Sequence, residues 1–475
     1  MTILFETLPL STAQLDNLAS LGYREMTPIQ AASLPLALAG KDLIAQAKTG
    51  SGKTAAFALA LLAKLNTRWF AVQACVLCPT RELADQVAIE IRRLARAADN
   101  IKVVTLCGGV PLRGQRASLE NGAHIVVGTP GRIMDMLARE YLTLENLNTL
   151  VLDEADRMLD MGFFDDIVTV AKQTPKERQT LLFSATYPEG IEKLARQFMK
   201  APEQVKVESQ VAQNLIEQRF YEVPRSGKLE ATARLLSEFR PASTLAFCNT
   251  KQQCKDLVTY LQQKGFSALA LYGELEQRER DQVLAQFALK SCSVLVATDV
   301  ASRGLDIKEL EAVINVDITP DPEIHVHRIG RTARAGATGL ALSLVSMNEM
   351  GAVGKIEQYQ NATSVWHKLD EVKAGPDNLG KNALRPPMTA LQILGGRKEK
   401  IRAGDVLGAL TGPDGGTALT REQIGKISVT EFCTFVAVEQ SVAAAACNKL
   451  NNGKIKGKSV RARVMNGTTS GSDND

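Results

Sequence analysis

Short apolar runs rich in β-branched residues alternate with helix-patterned stretches along most of the chain, and this alternation limits the fold more than any other feature. The first series is DLIAQA, ACVLCPT, VVTLCGG, HIVVGTP, TLVLDEAD and QTLLFSAT; the second is TLAFCNT, ALALYGE, SVLVATD, AVINVD and GLALSLV. Runs that are apolar throughout suit strands covered on both faces, and the helical stretches between them suit the crossovers that parallel strands require. Two α/β domains in tandem follow, over residues 1–207 and 215–370, with the polar stretch from Glu208 to Gln218 between them as a linker. In such sheets ligands gather at the carboxyl ends of the strands, where each of these runs passes into a polar or glycine-containing string.

A second linker is expected over residues 371–387, rich in Gly, Pro, Asn and Asp. A small α+β unit follows over 388–465, in the order strand (TALQILGG), helix (AGDVLGAL), strand (IGKISVT), strand (FCTFVAV), helix (SVAAAACNKLNN), strand (KSVRARV). That order is the split βαβ arrangement of RNA-recognition motifs. The tail, residues 466–475, reads as disordered. Of the net charge of +4, the segment from Arg397 to Arg463 carries 12 Lys and Arg against 6 Asp and Glu. A basic module on a near-neutral body fits a polyanion partner.

A length of 475 residues exceeds one hydrophobic core. Nowhere is there an apolar run near the ~20 residues of a membrane-spanning helix, and the start MTILFETLPLSTAQ lacks the pattern of an export signal, so a cytoplasmic protein is expected. Of the 8 cysteines, Cys75, Cys78, Cys107, Cys248 and Cys433 lie in strand-like segments and read as buried free thiols. Cys75 and Cys78 form a CxxC, but three-residue spacing on a strand points them to opposite faces.

The string AKTGSGKT, Ala47 to Thr54, leaves one strand and opens the helical run AAFALALLAKL. Its Thr49, Gly50, Ser51 and Gly52 form a loop whose backbone N–H groups can cradle phosphates at a helix N-terminus, with Lys53 as cation and Thr54 as a Mg²⁺ ligand. Ala47 replaces the first glycine of the general pattern. About a hundred residues on, the strand TLVL ends in DEAD, where Asp153 can hold Mg²⁺ through its water shell and Glu154 can orient the attacking water.

With these two strings the chain resembles the DEAD-box RNA helicase family, and the remaining motifs stand in the family order: PTREL, GG at Gly108 and Gly109, TPGR, SAT, ATDVASRGLD and HRIGRTARAG. The resemblance implies two tandem RecA-like domains and ATP as substrate, with Gln30 and Thr27 in an adenine-reading GYREMTPIQ element and Phe5 stacking on the base. It implies that Arg331 and Arg334 act as arginine fingers on the γ-phosphate, that Gly304 and Asp306 meet the nucleotide, and that Ser184, Thr186 and His327 couple hydrolysis to the domain interface. RNA is expected on Pro79, Thr80, Arg81, Gly109, Thr129, Pro130, Arg132, Gln277, Arg280 and Thr298, chiefly through phosphate and sugar.

The last third resembles more narrowly a bacterial branch of that family whose RNA-recognition-like tail binds a hairpin of large-subunit (23S) ribosomal RNA, on the strings GDVLGALTG, IGKI and GKIKGK. On the third strand Phe435 holds a stacking position while Val438 stands where another aromatic is usual, and the first strand offers Gln392. Arg397, Lys398, Lys400, Arg402, Lys454, Lys456 and Lys458 are therefore the candidates for RNA contact. The expectation is a monomeric helicase acting during large-subunit assembly, with an ATP-dependent RNA clamp as the alternative and no DNA partner.

Overall fold

The computed structural model describes residues 3–47, 50–187, 189–207, 216–302, 310–333, 338–373, 385–430 and 432–465. The chain falls into two compact units that part near Gln210. The first holds strands β1 (Leu43–Gln46), β2 (Ala74–Leu77), β3 (Val103–Leu106), β4 (Ile125–Gly128), β5 (Thr149–Asp153), β6 (Gln179–Ser184) and β7 (Glu203–Lys206). They form one parallel sheet in the order β3-β4-β2-β5-β6-β1-β7. Its two faces carry separate cores: Cys78 packs with Phe57 and Phe183 on one, and Cys75 with Leu150 and Met158 on the other. The CxxC thus splits across the sheet as its spacing predicts.

The helix Arg81–Leu94 shows how local signals and burial agree. Thr80 caps it by accepting from Leu83 N at 3.3 Å, and Ala84, Val87, Ala88, Ile91 and Leu94 line its buried face at the 3–4-residue spacing of an amphipathic helix.

In the second unit, β8 (Ile216–Glu222), β9 (Thr244–Phe247), β10 (Ala268–Leu271), β11 (Val294–Ala297), β12 (Ala312–Asn315), β13 (Gly339–Val345) and β14 (Trp366–His367) form another parallel sheet, ordered β10-β11-β9-β12-β13-β8-β14. The last residues of the polar stretch read as a linker, Ile216 to Gln218, lie in β8, where only Phe220 and Tyr221 are fully buried. Val372, expected in the second linker, packs into this domain's core with Tyr221 and Leu236.

The same unit carries β15 (Met388–Leu394), β16 (Ile424–Val429), β17 (Cys433–Glu439) and β18 (Arg461–Val464), an antiparallel sheet ordered β16-β17-β15-β18. Helices Ala403–Thr411 and Ala443–Asn452 cover one face, closing over Leu391, Ile393, Val436 and Val438. Val438 therefore faces the helices; the face-mate of Phe435 is Ala437, because residues three apart on a strand point opposite ways.

His325 is fully buried, stacked on Phe220 with ring centroids 6.1 Å apart and its Nε2 3.4 Å from Gln218 Oε1. Burial, with the nearby Arg328 guanidinium, pushes its pKa down to about 4. An unfolded histidine binds its proton near pH 6.5, so this site costs nothing above that pH and destabilises progressively as pH falls from 6.5 towards 4. At pH 5 the loss is about 2 kcal/mol, at roughly 1.4 kcal/mol per unit. Trp366 sits 5.8 Å from Phe220 and reports on this domain once Trp69 is replaced by Phe. Urea titrations followed by Trp366 emission at pH 7 and pH 5 should show this loss, and His325→Gln should remove about that much of the difference.

Candidate nucleotide and nucleic-acid sites

In the first sheet the strands that carry phosphate-type chemistry are neighbours. The AKTGSGKT string follows β1, SAT spans the end of β6, and DEAD begins at the end of β5, and these three strands are adjacent. Gly50 and Gly52 take φ of 81° and 94°, a conformation that costs other residues strain, and a Cβ on Gly52 would meet Gln30 Nε2 at 2.5 Å. Gln30 Nε2 donates to Gly52 O at 3.1 Å while its Oε1 accepts from Thr27 N at 2.9 Å, so this side chain braces the loop. Phe5 is buried edge-on against Tyr23, centroids 6.1 Å apart.

Lys53 opens the helix Lys53–Ala63 with its Nζ donating to Ala47 O at 2.8 Å. Thr54 is half-buried on the next residue. Ser51 Oγ, Thr27 Oγ1 and Ser184 Oγ are buried hydroxyls without a hydrogen-bond partner. Burial pushes the Asp153 carboxyl up to about 7 against the pull of Lys53, with Glu154 adding to the rise. A buried carboxyl at the end of β5, with unpartnered hydroxyls on the loops of the neighbouring strands, suits a polyphosphate with a divalent cation.

Glu154 sits in the left-handed region at φ 52°, and Arg157 Nη1 donates to its Oε2 at 2.9 Å, both side chains nearly buried. Asp156 does what spacing alone did not reveal. Its Oδ2 accepts from Ala185 N at 3.1 Å, Thr186 N at 2.9 Å and Thr186 Oγ1 at 3.0 Å. One carboxylate therefore ties DEAD to SAT across 30 residues of sequence.

The polar strings expected to meet RNA leave the other half of the same edge. PTREL follows β2, GG follows β3, and TPGR follows β4, and these strands are also adjacent. Pro79 and Pro130 are buried, Thr80 and Thr129 sit at the starts of helices Arg81–Leu94 and Pro130–Ala138, and Gly109 is exposed at φ 72°. Arg132 Nη1 donates to Val110 O at 3.2 Å, joining TPGR to the GG loop, and Arg81 lies 3.8 Å from Asp85.

The second unit repeats the division. Gln277 and Arg280 lie on the helix after β10, Thr298 follows the neighbouring β11, and Arg280 Nη2 donates to Ala301 O at 2.6 Å. The helix Pro322–Ile329, bearing half-buried His327, and the buried Arg331 follow β12. Arg328, passed over in the sequence reading, is the buried hub: it donates to Asp299 Oδ1 at 2.7 Å, Asp299 Oδ2 at 2.6 Å, Asp317 O at 2.7 Å and Asn249 Oδ1 at 3.1 Å. Thr49, Gly304, Asp306 and Arg334 lie outside the described residues.

In the small domain all seven basic candidates are exposed on two loops, residues 397–402 and 454–458, joined where Lys456 Nζ donates to Lys400 O at 3.0 Å. Phe435, by contrast, is buried on the sheet face with Ala390 and Ala437 against Leu289 and Ala285 of the helix Gln277–Ala288 and the residue after it. Gln392 is opposite it, buried, and accepts from Arg463 Nε at 2.8 Å.

Residues 27–194 match the DEAD/DEAH box helicase family, 227–336 the helicase conserved C-terminal domain, and 390–464 the DbpA RNA binding domain. Over 456 residues the chain is 52% identical to the ATP-dependent RNA helicase DbpA of Escherichia coli K12, covering 96% of this chain and 98% of that one. The chain belongs to the DEAD-box ATP-dependent RNA helicase family. Among solved structures it is similar to S. cerevisiae Dbp5 bound to RNA and ADP BeF3 (28% identity, TM-score 0.71, covering 80% of this chain and 99% of that one). It is similar also to Mss116p bound to ssRNA and AMP-PNP (26% identity, TM-score 0.70, 82% and 84% covered). As a DEAD-box helicase of the DbpA type it is an RNA-stimulated ATPase with an RNA-binding domain at its C-terminal end.

Arg328 separates folding from chemistry within the HRIGRTARAG string. Removing a buried, multiply bonded guanidinium leaves its partners uncompensated, at a cost of about 3–5 kcal/mol. Arg328→Met should lower the urea midpoint of the second unit accordingly, read by Trp366 emission in the Trp69→Phe background; an unchanged midpoint would show that the network carries no stability.

Proposed function

We propose that this helicase couples ATP hydrolysis to local separation of short RNA duplexes and is targeted by its C-terminal domain to 23S ribosomal RNA during large-subunit assembly in the cytoplasm, acting as a monomer. The observation that carries the catalytic half is the division of the carboxyl edge of one sheet into adjacent nucleotide-type and RNA-type loops. Loops that leave neighbouring strands of one sheet can be coupled through its edge, and within the nucleotide-type half Asp156 already ties DEAD to SAT through Thr186.

In this reading Gln30 and Thr27 select adenine with Phe5 beside them, and the amides of Thr49 to Gly52, together with Lys53, bind the phosphates. Asp153 and Thr54 would hold Mg²⁺, which neutralises phosphate charge when bound. Glu154, its carboxylate set by Arg157, orients the attacking water and takes its proton. Arg331 and Arg334, with Gly304 and Asp306, complete the site from the second domain, so hydrolysis depends on closure; such fingers are worth about 10³ to 10⁵ in rate elsewhere. Ser184, Thr186 and His327 couple the phosphate state to the domain interface and so to the groups that hold RNA. Those groups grip phosphate and sugar and read no sequence.

Glu154→Gln tests the chemistry, since glutamine keeps the size and an oxygen for Arg157 but cannot take a proton. Steady-state ATPase at saturating RNA should fall by about 10²-fold or more with ATP and RNA binding kept. Turnover within about twofold of the parent would remove Glu154 from that role.

Targeting is tested by ending the chain after Lys373, ahead of β15, so that no strand of the small domain is left behind. A tethered module raises the local concentration of neighbouring duplex, to about millimolar for short flexible linkers, and so acts on half-saturation more than on maximal rate. The truncated protein should keep generic RNA-stimulated ATPase and lose its lower half-saturating concentration for 23S ribosomal RNA over unrelated RNA. Each lost phosphate contact should also flatten the slope of log affinity against log salt by about 0.7 to 0.9. Equal half-saturation and equal slopes for the two proteins would end the targeting reading.

A further inference from the structure

One end of the small domain's sheet presents a half-exposed aromatic side chain. Phe432, just before β17, is 50% exposed, and Leu394, paired with Cys433 at the same end of the sheet, is 49% exposed. Elsewhere on the sheet, Leu289 closes over Phe435 and Ala437. The exposure of Phe432 is not slackness. Gly395 N donates to Phe432 O at 3.1 Å, Arg397 N to Thr430 O at 2.9 Å, and Thr434 Oγ1 to Gly395 O at 2.8 Å, so the turn beneath the ring is bonded to the loop beside it. Gly395 takes φ 147°, and a Cβ there would stand 2.8 Å from Ile401 Cδ1, so this loop path is restricted to glycine.

One cation lies on the ring, and two more belong to the same end of the domain. Lys398 Nζ lies 4.1 Å from its centroid, Arg397 Nε is fixed on Val429 O at 3.2 Å, and exposed Arg461 pairs in register with Leu394 on β18. Glu399 accepts from Gly396 N at 2.7 Å and its carboxylate also feels the charges of Lys458 and Lys398; Glu431 lies outside the described residues. An ammonium over one face of a phenyl ring leaves the other face for a second π partner.

We propose that Phe432 is a base-stacking residue: an unpaired RNA nucleotide lays its base on the ring while Arg397, Lys398 and Arg461 hold the adjoining phosphates. Every base has a π-face and every linkage a negative charge, so an aromatic fixed among cations suits this occupant. A protein partner would meet the same ring with charges of its own sign wherever it is basic, and an RNA duplex keeps its base faces inside the stack. The inference rests on the reading that this domain binds 23S ribosomal RNA, and deepens it by naming an unpaired nucleotide as what the turn takes.

The experiment uses the full chain and tiled transcripts of 23S ribosomal RNA, each about 100 nucleotides, with the tightest-binding fragment as probe. Phe432→Ala and Phe432→Leu should each weaken filter-binding affinity about tenfold, the order expected for one lost base stack, with the salt slope unchanged. Phe432→Trp should bind as tightly as the parent or better. Annealing the fragment to its complement should abolish the difference between parent and Phe432→Ala. Rescue by leucine, or Phe432→Ala binding within about twofold of the parent while truncation after Lys373 loses the preference, would overturn the stacking role and leave RNA targeting standing. If the truncated chain binds every fragment as the parent does, the targeting reading fails and this one with it.

Discussion

A parallel strand cannot return to its neighbour by a tight turn, so successive strands within each large sheet are joined by crossovers and deliver their carboxyl ends to one edge. The strand order then decides which loops meet. In the first sheet β1, β6 and β5 stand together and bring the phosphate loop, SAT and DEAD side by side; β2, β4 and β3 stand together and assemble PTREL, TPGR and GG. The second sheet places its RNA-type residues after β10 and β11 and its arginine-rich string after β12. Proximity of nucleotide and nucleic-acid chemistry is thus a consequence of topology before any side chain is considered.

Within that frame the buried polar groups separate into those that are satisfied and those left open. Asp156 spends its carboxylate on Ala185, Thr186 and the Arg157 amide, and Arg328 spends its guanidinium on Asp299, Asn249 and Asp317. Such groups fix loops, because a buried charge without partners is too costly to leave in place. The Ser51 and Thr27 hydroxyls are buried without a partner, and burial holds the Asp153 carboxyl well above its ordinary pKa. A ligand-binding region should look like this: rigid where the loops are anchored and unsaturated where the ligand comes.

The buried strands were legible in the sequence because they are apolar at every position, as β2 and β4 show with all four residues buried. The sheet margins were not. EQVK of β7 is largely exposed, IEQRFYE of β8 buries few residues, and β14 is two residues long, so none makes a continuous apolar run. Motif strings located the candidate loops, but spacing could not tell Arg328, spent inside the core, from its neighbours in HRIGRTARAG. Nor could it join Asp156 to Thr186, which lie on different loops. The parity of Val438 was legible in principle: three positions from Phe435 on a strand means the opposite face, and the core confirms it.

The small domain carries the same logic into recognition. Its sheet face, the surface on which such domains stack bases, is partly consumed by Leu289 and Ala285 against Phe435, Ala390 and Ala437. Burying that apolar face keeps an aromatic patch from water and packs the small domain on the helix Gln277–Ala288 of the same unit. The cost falls on recognition, because a buried Phe435 cannot meet a base. What stays exposed is the far end of the sheet and the loops at 397–402 and 454–458, where cations and one half-exposed aromatic side chain remain. In the proposed reading RNA contact by this domain is therefore directed to its loop end, because the packing of Leu289 on Phe435 and Ala437 occupies the other side.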